Sequence, residues 1–170
     1  LDFFKATTVR VLREHDPKFE LPSEKRIMAN IYGKVLKHSY SLRKGLTESL
    51  ALIGCYPDAL KSCSSGKAKA IAALAVNEIL SDSDWILWAS LNDLLPLLAE
   101  ASPKEFLAAV ENALDSDPCP FDMLFAQEKP GFVGQTYMAG LLWALETLAW
   151  DSDYLIHAVI LLGELASRDP

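Results

Sequence analysis

Residues 72–90 read AALAVNEILSDSDWILWAS, and residues 141–159 read LLWALETLAWDSDYLIHAV. In both, apolar side chains recur at intervals of three and four up to an Asp-Ser-Asp turn, the period of a helix with one packed face. An aromatic residue, Trp85 or Tyr154, then opens a second run of the same period. The aspartate before it, Asp84 or Asp153, stands where a carboxylate caps the unpaired amides of a starting helix. The pattern is helix, turn, helix, twice, at an offset of 69 residues. Half that offset is close to the period of two-helix repeats.

The same spacing runs outward through the chain, and strand-like alternation is nearly absent. The predicted fold is all-α: antiparallel helical hairpins stacked as a right-handed α–α superhelix, a solenoid-like domain. Helices are expected near residues 2–14, 23–38, 41–54, 57–63, 67–81, 84–100, 103–115, 134–150 and 153–167. Asp16-Pro17 ends the first, Pro22-Ser23 caps the second, and Ser102-Pro103 places proline at a first helical position. Gly66 breaks the chain after a polar stretch, and Pro96 should kink its helix or split it near Asp93. The one long irregular connection is 116–133, with Pro118, Pro120, Pro130 and Gly131; it reads either as a lid or docking loop or as a short helix packed on the core.

Length and composition set the class. A chain of 170 residues is one domain, and with 51% apolar residues, 23% charged residues and a mean hydropathy of +0.14 it is not disordered. The most apolar stretch, 138–150, is interrupted by Glu146 and falls short of the roughly 18 residues that span a bilayer. Residues 1–14 lack the apolar core of an export signal. An opening Leu1 and a closing Asp169-Pro170 directly after a helical run lead us to expect a piece of a longer chain. Cys55, Cys63 and Cys119 form no CxxC pair, and His15, His38 and His157 are scattered, so neither metal nor cofactor is expected. Reduced cysteines point to the cytoplasm.

The closing stretch, LLWALETLAWDSDYLIHAVILLGELASRDP, residues 141–170, resembles HEAT- or TPR-like helical repeats of large multidomain bacterial proteins, some of which carry a STAND-type nucleotide-binding module. It lacks the Asp-x-x-Val-Arg feature of HEAT repeats. The resemblance implies a scaffold or sensor segment whose parent chain holds the chemistry elsewhere.

Charge is unevenly divided. Residues 1–70 carry a net +6 and residues 71–170 a net −13, within a total of −7. Over 25–38, a helical wheel sets Ile27, Met28, Ile31, Tyr32, Val35 and Leu36 against Arg26, Asn30, Lys34 and Lys37. Arg43 and Lys44 open the next helix. No phosphate loop surrounds Gly66-Lys67, because Lys61 and Ala68 stand where glycine and a hydroxyl residue are needed. The acid pairs Asp82/Asp84, Asp115/Asp117 and Asp151/Asp153 fall at helix junctions and read as caps. Trp85 with Trp88, and Trp143 with Trp150, share helix faces and read as core.

These features predict a non-catalytic module that binds another protein or another domain of its parent chain. The surfaces expected to do so are Arg26, Lys34, Lys37, Arg43 and Lys44, with Phe121, Phe125 and Phe132 in the 116–133 connection. Two alternatives stand beside it: a small-molecule sensor with a pocket lined by Trp85, Trp88 or Trp143, and a nucleic-acid binder using the basic half. The absence of any recognised nucleic-acid module disfavours the second.

Overall fold

The computed structural model describes residues 1–127 and 136–168, and among them it holds nine α-helices and no strand. In chain order these are α1 (Asp2–Leu12), α2 (Tyr40–Cys55), α3 (Lys67–Leu80), α4 (Trp85–Leu91), α5 (Leu95–Ala101), α6 (Pro103–Asp115), α7 (Pro120–Gln127), α8 (Ala139–Ala149) and α9 (Leu155–Arg168). Single 3-10 turns occupy Pro17–Glu20, Ser23–Met28, Pro57–Ala59 and Asn92–Leu94.

Local chemistry sets many of these ends. The Ser39 hydroxyl accepts the Leu42 amide at 3.2 Å and caps α2, and Asp84 accepts the Leu87 amide at 2.8 Å and caps α4. At α6, Pro103 takes the first position while Ser102 donates to the Glu105 carboxylate. Pro96 lies in the first turn of α5, where its missing amide costs nothing, so the long apolar run 84–100 divides into α4, a 3-10 turn and α5.

The helices pack in two rows. In one, α5 lies between α2 and α8; in the other, α1, α3, α6 and α9 follow each other, and α2 on α3, α5 on α6 and α8 on α9 join the rows. Two glycines let the first row close. A Cβ on Gly54 would fall 1.9 Å from the carbonyl oxygen of Ala101, and one on Gly140 would fall 1.7 Å from that of Asn92. The Gly140 amide also donates to the Asn92 side-chain oxygen at 2.8 Å. Between the rows lies a core in which Trp88 and Phe121 meet edge-to-face at 5.1 Å.

Three expectations are corrected here. Residues 23–38 do not form an amphipathic helix: the 3-10 turn Ser23–Met28 runs into turns closed by Gly33, whose φ of +69° ends any helix. Residues 57–63 hold only the 3-10 turn Pro57–Ala59. The connection after Ser116 is not a loop throughout: its described part takes the other reading, a short helix packed on the core, α7, with Phe121 and Leu124 buried. The echo between 72–90 and 141–159 also has a different meaning in space. It aligns α3 with α8, which belong to opposite rows, and α4, which packs on α7, with α9, which packs on α6 and α8.

Because the obstacle at each close approach is backbone, neither can yield to a rotamer change. Gly140→Ala is expected to lower stability by roughly 2 kcal/mol or more, as overpacking of a tight core does, whereas Gly163→Ala, with open space around it, is expected to be neutral or stabilising. Urea unfolding of both variants checks this pair.

Candidate functional site

The cations singled out from the sequence divide into two groups. Arg43 is 1% exposed. From the first turn of α2 its guanidinium donates to the carbonyls of Val11 at 3.3 Å, Glu14 at 3.2 Å and Ser90 at 3.1 Å, tying the ends of α1 and α4 together. Burial pushes its pKa down, and the carboxylates of Glu14, 4.0 Å away, and Asp16 act in the opposite sense. Arg26 is also buried. Its guanidinium lies 5.1 Å from the ring centre of Phe19 and 5.9 Å from those of Trp85 and Tyr137, and it donates to the Leu21 carbonyl and the Gln127 side chain. Neither arginine is a surface cation, which corrects the expectation that they meet a partner. Lys34 is paired with Glu20, Lys44 sits 3.7 Å from Glu48, and Lys37 is exposed.

The aromatic residues divide as well. Phe121 is fully buried against Trp88, Phe125 is half-buried against the core, and Phe132 lies outside the described residues. Trp85 lies half-buried beside Arg26. Trp143 and Trp150, expected in the core, are instead on the surface, Trp150 at 85% exposure.

One carboxylate organises the chain before α2. Glu14 accepts the Lys37 amide, the His38 amide at 3.2 Å and the His38 Nδ1 at 2.6 Å. Burial pushes its pKa up, but these hydrogen bonds outweigh that and hold it below its ordinary value of 4.5.

A polar cleft of about 420 Å³ opens among Asp16, Lys18, Arg43, Ser90 and Asn92. Its polar groups satisfy one another: Asp16 pairs with Lys18 at 3.2 Å, its amide donates to Ser90 Oγ at 2.8 Å, and Asn92 spans Asp93 and Gly140. A second groove, about 410 Å³, has an apolar floor of Leu52, Cys55 and Leu97 between Glu48 and Glu100. Among the described residues no three His, Cys, Asp or Glu side chains gather as metal ligands would, and no helix is long and apolar enough to cross a membrane.

Among the described residues, the last hairpin presents an uncovered apolar surface. In α8 the buried residues Leu141, Ala144, Leu145 and Leu148 face α5 and α9, so at 100° per residue Trp143 and Trp150 point directly away. In α9 the buried residues are Ala158, Leu161 and Leu165, and Ile156 and Ile160 occupy the opposite side with Val159 next to them. Ile156 is 74% exposed. Since α8 rests on α5, α9 on α6, and each pair is joined side by side, the two outward faces lie on one side of the molecule. The acidic residues Glu146, Asp151, Asp153 and Glu164 are exposed among them. A second exposed apolar group, Ile27, Met28, Ile31, Tyr32 and Val35, sits where an inward helix face was expected. Apolar periodicity could have found both groups; only tertiary contacts decide which side is covered.

Comparison with protein-family models, with curated proteins and with solved structures finds no match for this chain.

Because the Glu14 carboxylate titrates below its unfolded counterpart, its contribution to stability is present above about pH 4.5 and is lost as pH falls through the lowered folded value. Glu14→Gln is expected to cost about 1–2 kcal/mol at neutral pH and to flatten the acid limb of the stability curve; chemical unfolding from pH 2 to 7 reads both.

Proposed function

We propose that this chain is a non-catalytic protein-binding module built of stacked helical hairpins, and that it docks its partner on the outward face of α8 and α9. The observation that carries the reading is that α9 is apolar on both sides, with Ile156, Val159 and Ile160 outward and Ala158, Leu161 and Leu165 inward. A helix of that composition belongs with neighbours on both sides, and here α6 and α8 cover only its inward one. Trp143 and Trp150 enlarge the surface with the residue type most enriched where binding energy concentrates. Apolar surface of this extent, rimmed by carboxylates, is typical of a docking site rather than of free solvent-facing helices.

The two rows of helices support the stacked-hairpin reading, since each hairpin covers the apolar side of the one before it and the last is left uncovered. No step of chemistry is asked of the polar cleft, whose groups are engaged with one another. None of the clefts described is lined by a tryptophan, so the tryptophans are assigned to packing and to the docking face.

A photo-reactive residue in place of Ile156, in an extract of the source cells, is expected to give a discrete higher-mass adduct that the same residue in place of the exposed Lys69 does not give. Trp150→Glu in the same chain should lower that yield about tenfold, as for a central contact residue. No adduct at 156, or equal patterns from both positions, contradicts the reading.

A further inference from the structure

We propose that the partner on the α8–α9 face is a second copy of this chain, bound head to tail through its residues 23–38. The proposal rests on reading that face as a protein-docking surface and names what docks there.

Two of the apolar groups uncovered in the single chain differ in the charge around them. The segment bearing Ile27, Met28, Ile31, Tyr32 and Val35 carries Lys25 and Lys37 on its surface beside a single carboxylate, Glu24, with Lys34 half-buried against Glu20, and Lys25 lies 5.6 Å over the Tyr32 ring. Arg10 of α1 shares a surface hollow with Lys37. The α8–α9 hairpin is the reverse: Glu146, Asp151, Asp153 and Glu164 surround its apolar face, and no Lys or Arg occurs between residues 136 and 167. Opposite charge around two apolar patches favours their pairing and fixes orientation. It also disfavours the symmetric alternatives, because two α8–α9 faces would bring carboxylates together and two copies of segment 23–38 would bring lysines together. The pairing is therefore between unlike faces, each copy keeps one of each, and association continues from copy to copy. The division of charge along the chain, +6 before residue 71 and −13 after it, then has a use: it directs the acidic end of one molecule to the basic end of the next.

Sedimentation velocity on the full chain tests this. The mass should rise with concentration above 18.7 kDa, with an apparent Kd about tenfold weaker at roughly 0.5 M salt than at 0.05 M. The double variants I156E/I160E and I31E/V35E change only exposed positions, so each should keep the wild-type circular dichroism spectrum and be monomeric alone. Mixed in equal amounts they should form a species of twice the chain mass and nothing larger, since the pair retains one intact face of each kind. A wild-type chain that stays monomeric at every concentration, self-association by either variant alone, or a mixture that fails to pair overturns the proposal. If the wild type is monomeric while Ile156 still gives an adduct with a different protein, the head-to-tail inference fails and the docking reading stands. If neither occurs, both fail.

Discussion

Two contacts of backbone on backbone fix how the helices stack. At Gly54 against Ala101 and at Gly140 against Asn92 there is no room for a single methyl group, and together they hold residues 92–101 between α2 and α8. The consequences spread through the fold. Helix α5 is short because its stretch must turn at Asn92–Leu94 to meet Gly140, and Pro96 suits that start because an amide there would have no helical partner. With α5 fixed, α6 follows immediately through Ser102-Pro103, and the second row takes its place beside the first. The last hairpin is then held on α5, the turn Asn92–Leu94 and α6, with Arg168 reaching Asp122 of α7, and its far side is exposed.

Three of the five arginines close helix ends. Arg43 caps the carbonyls at the ends of α1 and α4, Arg13 donates to the carbonyls of Glu78, Ile79 and Ser81 at the end of α3, and Arg168 to that of Leu114 in α6. A guanidinium suits the task because several donors fan from one plane toward a ring of unpaired oxygens, where the helix dipole is negative. Arg26 instead rests among three aromatic rings and pins the turn Ser23–Met28 to the body of the fold. With Arg26 and Arg43 drawn inward, exposed lysines carry much of the remaining positive surface of the first half.

What the sequence made legible is what depends on neighbours along the chain. The helical period, the Asp84 cap, the Ser102-Pro103 start and the division of 84–100 at Asp93 all rest on residues within a few positions of one another, and the structure contains each. What stayed hidden depends on residues far apart. The wheel of 25–38 fails because the segment is not an α-helix, and Arg26 turns inward because Phe19, Trp85 and Tyr137 gather around it from three distant places. Arg43 is likewise neutralised by carbonyls of α1 and α4 that no local pattern announces. Trp143 and Trp150 share a face, as their spacing requires, yet that face turns away from α5 and α9. The prolines near residue 120 left α7 as one of two readings of its stretch, because a proline can open a helix, as Pro120 does, as well as interrupt one.

The two uncovered apolar groups and the charge around them form the basis of the functional account. Hydrogen–deuterium exchange of the full chain, compared at low and high protein concentration, tests it most directly. The account predicts slower exchange at high concentration in two places only, the outward-facing turns of α8–α9 and residues 23–38, with the clefts lined by Asp16 and by Leu52 unchanged. Protection confined to either place alone, protection centred on those clefts, or identical exchange at both concentrations would contradict it.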